Sequence, residues 1–376
     1  MTRTGADYIK NVQDGRSIYL DGQLIENAAE HPAFRNALAT VARLYDFQAA
    51  SENEELMTFP SPTSGGRVNR CWQLPRSHAE LVQRREAITA WAELTFGFMG
   101  RSPDHVASSL SGMAMGIDVF QRHGEDRAKA LMDYFTYVRD NDLFVTYVIA
   151  NPRADHSKDV SQQEDETLVA AICDEDSQGV TINGAKMLGT SAVIADELLV
   201  TTGAPLKPGE EMYAFSAAMP MATKGLKILP RKSYEASAVS QFDNPLSSHL
   251  DENDAIILFD NVKVPWDRVF VHKDTEICRA QFTDTPAHMY QNYQAQVRMM
   301  VKLRFLLGLA ILFTPLATQA NPGAGSFGAG LMLGEPSGFS FKLFVDRRHA
   351  FDGGLSFSLL DNAFHAHADY LLHFPG

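Results

Sequence analysis

The stretch LFVTYVIA, residues 143–150, decides the fold, because the periodicity of the chain changes there. Before it, over 1–140, apolar residues recur at spacings of three and four, as in HPAFRNALATVARLYDF and HAELVQRREAITAWAELTFGFM, which predicts an N-terminal helical domain. From it onward, over 141–275, the pattern shortens to runs bounded by Gly, Pro and Asp: LVAAICDE, GVTINGAKMLGT, ADELLVTTG, MYAFSAAMP, GLKILP and DAIILFDNVKVP. Such runs predict a β domain. Helical spacing returns at 288–310 through Tyr290, Tyr293, Val297, Met300, Leu303 and Leu307, so 276–310 reads as the start of a C-terminal helical domain whose stripe packs on other helices. After Ala310 the text is rich in Gly and Phe, poor in charge and without sustained periodicity. Residues 311–376 are therefore an atypical tail, and Pro315, Pro322 and Pro336 argue against helices in it. The expected fold class is α+β.

Composition limits what such a chain does. With 376 residues, 45% of them hydrophobic and 21% charged, it is long enough for two or three domains with cores of their own. A formal charge of -13 disfavours nucleic acid or an anionic membrane as partner, which leaves small molecules and protein. The start MTRTGADYIK lacks the apolar core of a leader, and the longest apolar run, FLLGLAILF, is half a membrane span. A cytoplasmic protein is expected. Cys71, Cys173 and Cys278 are scattered singles, so buried free thiols are expected rather than disulfides, and no His or Cys spacing suggests a metal.

The segment RSPDH, 101–105, sets Arg, Asp and His together just before the small-residue pattern VASSLSGMAMG. One reading is a capping turn, with Ser102 or Asp104 as cap, Pro103 in the first turn and Arg101 a solvated flank. The other is a site in which a cation and a base are presented on a rigid helix start.

The order helix, β, helix, together with FDNVKVPWDRVF at 259–270, resembles the acyl-CoA dehydrogenase fold. RSPDH, NDLFVTYVIANPRADHSKD, GAKMLGTSAVIADELLV, RKSYEASAVSQFDNPLSSHLDENDA and TPAHMYQNYQAQVR narrow this. Over about 4–310 the chain resembles the oxygenase component of the two-component 4-hydroxyphenylacetate 3-hydroxylase family, with the pyoverdin-chromophore branch nearest. The resemblance implies a flavin-dependent monooxygenase. It would take reduced FAD (FADH2) from a separate NAD(P)H-flavin reductase, react it with O2 to a C4a-hydroperoxide, and hydroxylate a 4-substituted phenol such as 4-hydroxyphenylacetate ortho to its OH. It also implies a homo-oligomer, a homotetramer where the helical domain is complete. Oxygen transfer of this kind is fastest to a phenolate, so a cation, a base and a dry pocket are needed.

By that resemblance Arg101, His105 and Tyr147 hold and activate the phenol, and Thr202 and Gly203 pass its pocket. Ile149, Ala150, Asn151, His156, Ser157 and Thr190 would line the flavin. The family's common pattern has Tyr where this chain has His105, and His where it has Tyr147, so the two types have exchanged places. The base could have moved, because an imidazole near 6.5 is a better base at neutral pH than a phenol near 10. His288, at the start of the returning helix, is a second candidate base, with an exposed, inert His as the plain alternative.

Three other readings stand beside this one. A dehydratase of the same superfamily needs thiolates for an iron-sulfur cluster where this chain has Arg101, His105 and Ala295. An acyl-CoA dehydrogenase proper needs a carboxylate from helices that the tail does not resemble. The third is a truncated, catalytically inactive paralogue or a frameshifted product of a hydroxylase gene, in which the tail leaves the flavin site incomplete.

Overall fold

The structure is a computed structural model that describes residues 2–152, 154–155, 157–165, 167–318, 327–332, 337–346, 348–358 and 363–372. It divides into two compact units, Met1–Val301 and Lys302–Gly376.

In the first unit the helices are α1 (Gly5–Val12), α2 (Arg35–Ala49), α3 (Glu54–Met57), α4 (His78–Glu93), α5 (Asp104–Met115), α6 (Ile117–His123), α7 (Glu125–Asp140), α8 (Tyr234–Ser237), α9 (Thr275–Thr283) and the first part of α10 (Ala287–Thr318). The N-terminal segment is not wholly helical. It also holds β1 (Ser17–Leu20), β2 (Gln23–Ile25) and a hairpin of β3 (Thr58–Pro60) and β4 (Arg67–Asn69). β1 and β2 are joined by Asp21 and Gly22, both at positive φ, which is the backbone a two-residue hairpin demands.

The β region forms two sheets from β5 (Val145–Val148), β6 (Ala171–Asp176), β7 (Gly179–Lys186), β8 (Glu197–Thr201), β9 (Phe215–Pro220), β10 (Leu226–Pro230), β11 (Ala255–Pro265) and β12 (Val269–His272). One sheet has the order β2-β1-β10-β11-β7-β6, so the N-terminal hairpin completes it, and the other has the order β12-β9-β8-β5. Along β11, Ala255, Ile257 and Phe259 are buried, and then Val262 and Val264. A register shift between Phe259 and Val262 holds both halves on the core face. β8 is buried at every residue because both its faces are covered. Leu198 and Val200 join one core with Val180, Ile182 and Phe215, whereas Leu199 joins a second core with the helices around Leu110 and Phe135.

Three expectations change here. Cys71 and Cys278 are buried, but Cys173 is exposed. It lies on β6, the edge strand, at a register shift between Ile172 and Asp174 that turns it outward. In α10, Val297 and Val301 are buried while Met300, Leu303 and Leu307 stand 44%, 56% and 60% exposed, so the apolar stripe is covered only at its N-terminal end. The helix also runs through Pro315 to Thr318, past the Ala310 at which the text changes. A proline removes one i→i−4 bond and crowds the preceding turn, which bends a helix before it ends one.

In the second unit the tail forms strands. β13 (Phe327–Met332), β14 (Ser337–Phe344), β15 (His349–Ser358) and β16 (Ala363–Leu372) make an antiparallel meander. The register aligns Phe339 with Leu355, and Leu343 with Phe351 and Tyr370, on one face. GFSFKLF at 338–344 thus alternates with the period of a strand.

No helix among the described residues is long and apolar enough to cross a membrane. Among them no group of three His, Cys, Asp or Glu side chains could hold a metal ion.

Candidate active site

α5 and α10 cross closely, and a glycine permits it. A Cβ at Gly112 would stand inside the backbone of Ala287, and one at Gly116 would meet Thr285 at 2.7 Å. The close crossing brings the first turns of α10 against the start of α5. There Asp104, fully buried, pairs with Arg298 Nη2 at 2.8 Å and also takes the Ser102 hydroxyl. Burial alone would raise the Asp104 carboxyl, but Arg298 and the donors around it hold it below the ordinary range. Neither Ser102 nor Asp104 caps α5, whose N-cap position is Pro103 without a side-chain bond. Asp104 serves the helix crossing instead.

His105 follows it into the interior, 2% exposed. Its Nδ1 lies 2.9 Å from Gln294 Oε1 and its Nε2 lies 2.9 Å from Gln291 Nε2. Burial, and then the nearby Arg101 guanidinium, push this imidazole down to about 3. Gln291 Nε2 also lies 2.9 Å from the Tyr147 hydroxyl. The His105 and Tyr147 rings meet at 5.7 Å between centroids, and the Arg101 guanidinium lies 5.6 Å from the Tyr147 ring centroid. The Arg101 backbone N–H is held by Glu252, a part-buried carboxyl that desolvation raises.

Tyr147 faces a cavity of about 200 Å³ lined by Ser109, Tyr147, Ile149, Leu199, Thr201, Gly203, Phe282, His288 and Gln291. β5 and β8 run parallel here, with Tyr147 opposite Leu199. Side chains alternate across a strand, so Tyr147 and Ile149, and likewise Leu199, Thr201 and Gly203, share the cavity face. Thr202 points the other way. Its hydroxyl donates to Tyr213 O at 2.8 Å and accepts from Lys186 Nζ at 2.9 Å.

Of the residues singled out from the sequence, Tyr147, Ile149, Gly203 and His288 line this cavity. Arg101 and His105 pack on Tyr147 beside it. His288 sits in the first turn of α10 and is exposed, 2.9 Å from Asn292 Nδ2. The Ala150 carbonyl accepts from Met187 N–H, and Asn151 Oδ1 accepts from Lys186 Nζ at 2.6 Å. Thr190 gives its hydroxyl to Asp254 and its carbonyl to Thr146. Ser157 bonds only locally, to Asp155 at 2.7 Å, on the surface. His156 lies outside the described residues.

Gln291, Gln294, Arg298 and Lys186 were missed. The first three follow one another at three and four residues in YQNYQAQVR, which puts them on one helix face. That spacing was readable, although the helix they would meet was not. Lys186 is fully buried between Asn151 and Thr202, and desolvation lowers its amine to about 7.

Helices packed on a two-sheet β region leave a small, partly open cavity between a parallel strand pair and the start of the returning helix. Comparison with known proteins makes the class specific. The chain belongs to the 4-hydroxyphenylacetate 3-hydroxylase family: residues 4–271 match the model described as 4-hydroxyphenylacetate 3-hydroxylase N terminal. It is 34% identical over 312 residues to the 4-hydroxyphenylacetate 3-monooxygenase oxygenase component of Geobacillus sp. (strain PA-9), covering 82% of this chain and 63% of that one. It is also 34% identical over 336 residues to the pyoverdin chromophore biosynthetic protein PvcC of Pseudomonas aeruginosa, covering 88% and 65%. The crystal structure of the oxygenase component HpaB complexed with FAD and 4-hydroxyphenylacetate superposes with a TM-score of 0.78 at 32% identity, over 84% of this chain and 65% of that one. The chain thus spans just under two thirds of the length of these relatives.

Proposed function

We propose that the chain is the oxygenase component of a phenol monooxygenase that uses reduced FAD from a separate reductase and hydroxylates a 4-substituted phenol ortho to its OH. The observation that carries this reading is the cavity itself: about 200 Å³, suited to one aromatic ring, with Tyr147, Gln291, His288, Ser109 and Thr201 among its lining and the Arg101 guanidinium over the Tyr147 ring. A dinucleotide is too large for it, so the flavin belongs along the Ile149–Asn151 turn at its edge. The donors there suit an anionic flavin. Asn151 Oδ1 is occupied by Lys186, which leaves the amide N–H groups for a ligand, and Lys186 brings a buried amine to the same turn.

When bound, reduced FAD supplies the activation of O2, with one oxygen atom going to the ring and the other to water. The chain's own residues do the rest. Arg101 places a cation where negative charge develops on the phenol oxygen, Tyr147 meets that oxygen, and His288 takes a proton at the cavity wall. Leu199, Phe282 and Ile149 keep the ring in an apolar, water-poor space.

The test supplies the full chain with reduced FAD and air in the presence of 4-hydroxyphenylacetate and measures catechol and H2O2. Catechol formed in step with flavin oxidation is the expected result. A chain that binds neither reduced FAD nor the phenol is instead an inactive paralogue of these hydroxylases.

A further inference from the structure

Three elements converge on one side-chain amide. Gln291 on α10 lies 2.9 Å from His105 Nε2 on α5 and 2.9 Å from the Tyr147 hydroxyl on β5, in each case through its Nε2. An amide nitrogen carries two hydrogens and accepts nothing. Both contacts are therefore donated by Gln291, and His105 Nε2 must be the bare nitrogen of the ring. Its hydrogen is then on Nδ1, which faces the Gln294 carbonyl oxygen at 2.9 Å, an atom that can only accept. Tyr147 likewise uses its oxygen to accept, so its own hydrogen is free of that partner, and its side chain borders the cavity.

We propose that Gln291 is a positioning residue that fixes His105 as the neutral Nδ1–H tautomer, and turns the Tyr147 hydroxyl hydrogen into the cavity as the donor to a phenol oxygen. The proposal deepens the hydroxylase reading and rests on it only for the identity of the ligand. Within it His105 is a spacer that holds Tyr147 in place, despite being the better base by type. Its surroundings agree. Arg101 and Arg298 face it as cations, the Asp104 carboxylate that acts on it is already paired with Arg298, and burial outweighs them all. The packing of the two rings at 5.7 Å gives the spacer its contact.

The first test needs no variant. Long-range proton–nitrogen NMR of the full chain labelled at histidine should show His105 as the Nδ1–H tautomer from about pH 5 to about pH 8, where an unperturbed imidazole changes its charge. An Nε2–H tautomer, or titration within that range, overturns the proposal. The second test uses Gln291→Glu, equal in shape but able only to accept. His105 should now carry a proton on Nε2, and Tyr147 should turn its hydrogen from the cavity to the new carboxylate. Affinity for 4-nitrophenol, whose absorption separates phenol from phenolate, should fall about tenfold, the worth of one hydrogen bond. Tyr147→Phe should lose the same factor, and adding Gln291→Glu to it should cost nothing more. Unchanged affinity in Gln291→Glu, or losses that multiply in the pair, overturn the assignment. If the wild-type chain binds no nitrophenol, the hydroxylase reading falls, and the His105 tautomer and its response to Gln291→Glu still decide the role of Gln291.

Discussion

Asp104 Oδ1 and Arg298 Nη2 lie 2.8 Å apart in the interior, their side chains 0% and 3% exposed, and the pair locks the start of α5 to α10 on the helix face that also carries Gln291 and Gln294, seven and four residues before Arg298. A buried pair of this kind is costly to break, because the surviving charge keeps its desolvation penalty without its partner. Asp104→Asn and Arg298→Met should each destabilise the chain by about 3–5 kcal/mol. The double variant should lose less than the sum, as measured by urea unfolding. The acid side has a sign of its own. The folded Asp104 carboxyl is held below its ordinary value, so the pair's contribution is present above the unfolded value of about 3.9 and is lost as pH falls through the lower, folded one. Asp104→Asn should flatten that acid limb, and an unchanged limb would exclude Asp104 as its source.

Gly112→Ala tests whether the helix crossing sets the site. The added methyl has no room, because what it meets is the backbone of Ala287 rather than the end of a flexible side chain. Overpacking of this kind costs about 1–3 kcal/mol and pushes the helices apart. The expected result is a lower melting temperature together with loss of the His105–Gln291 contact in the NMR experiment. A variant that melts like wild type would mean that the two helices can separate freely.

Much of this arrangement was readable from the text, and the missing part has a physical cause. The change of period at 143–150 placed the strand that carries Tyr147 and leads into Ile149, and RSPDH marked the start of α5. What a one-dimensional pattern cannot contain is which helix face meets which. Gln291 and Gln294 look like ordinary solvated residues until Gly112 brings α5 against them. Lys186 was hidden for a related reason, since a lysine is read as exposed unless something shows it is enclosed, and its enclosure comes from Asn151 and Thr202 on other strands. The tail differs. FSFKLF alternates with the period of a strand, but the Gly- and Pro-rich text around it breaks that period, so the meander of β13 to β16 is not legible from pattern alone.

Lys186 gives a prediction at the alkaline side. Its amine is lowered by burial to about 7 from 10.5, so between those values the unfolded chain binds a proton that the folded one does not. Stability should therefore rise with pH across that window, by at most about 1.4 kcal/mol per pH unit from this residue, and should be flat in this component below it. Lys186→Met should remove the rise, at the expense of leaving Asn151 Oδ1 and Thr202 Oγ1 without their donor. Urea midpoints compared between the two proteins across the window measure it, and identical slopes would show that Lys186 keeps its proton on folding.

The exchange of residue types at His105 and Tyr147 is testable as a unit. Their rings touch at 5.7 Å and share Gln291, so changing one alters the setting of the other. His105→Tyr alone places a hydroxyl where Gln294 meets a donor nitrogen and Gln291 an acceptor one. Tyr147→His alone removes the hydroxyl that borders the cavity and puts a second imidazole against the first. Together the two changes restore the order common in the family and give Gln291 a hydroxyl on one side and an imidazole on the other. Contacting residues couple by about 0.5–3 kcal/mol, so the double variant should bind 4-nitrophenol and hydroxylate 4-hydroxyphenylacetate better than the product of the two single effects. Strictly multiplicative losses in both measurements would mean that the rings act independently, in spite of their contact and their common partner.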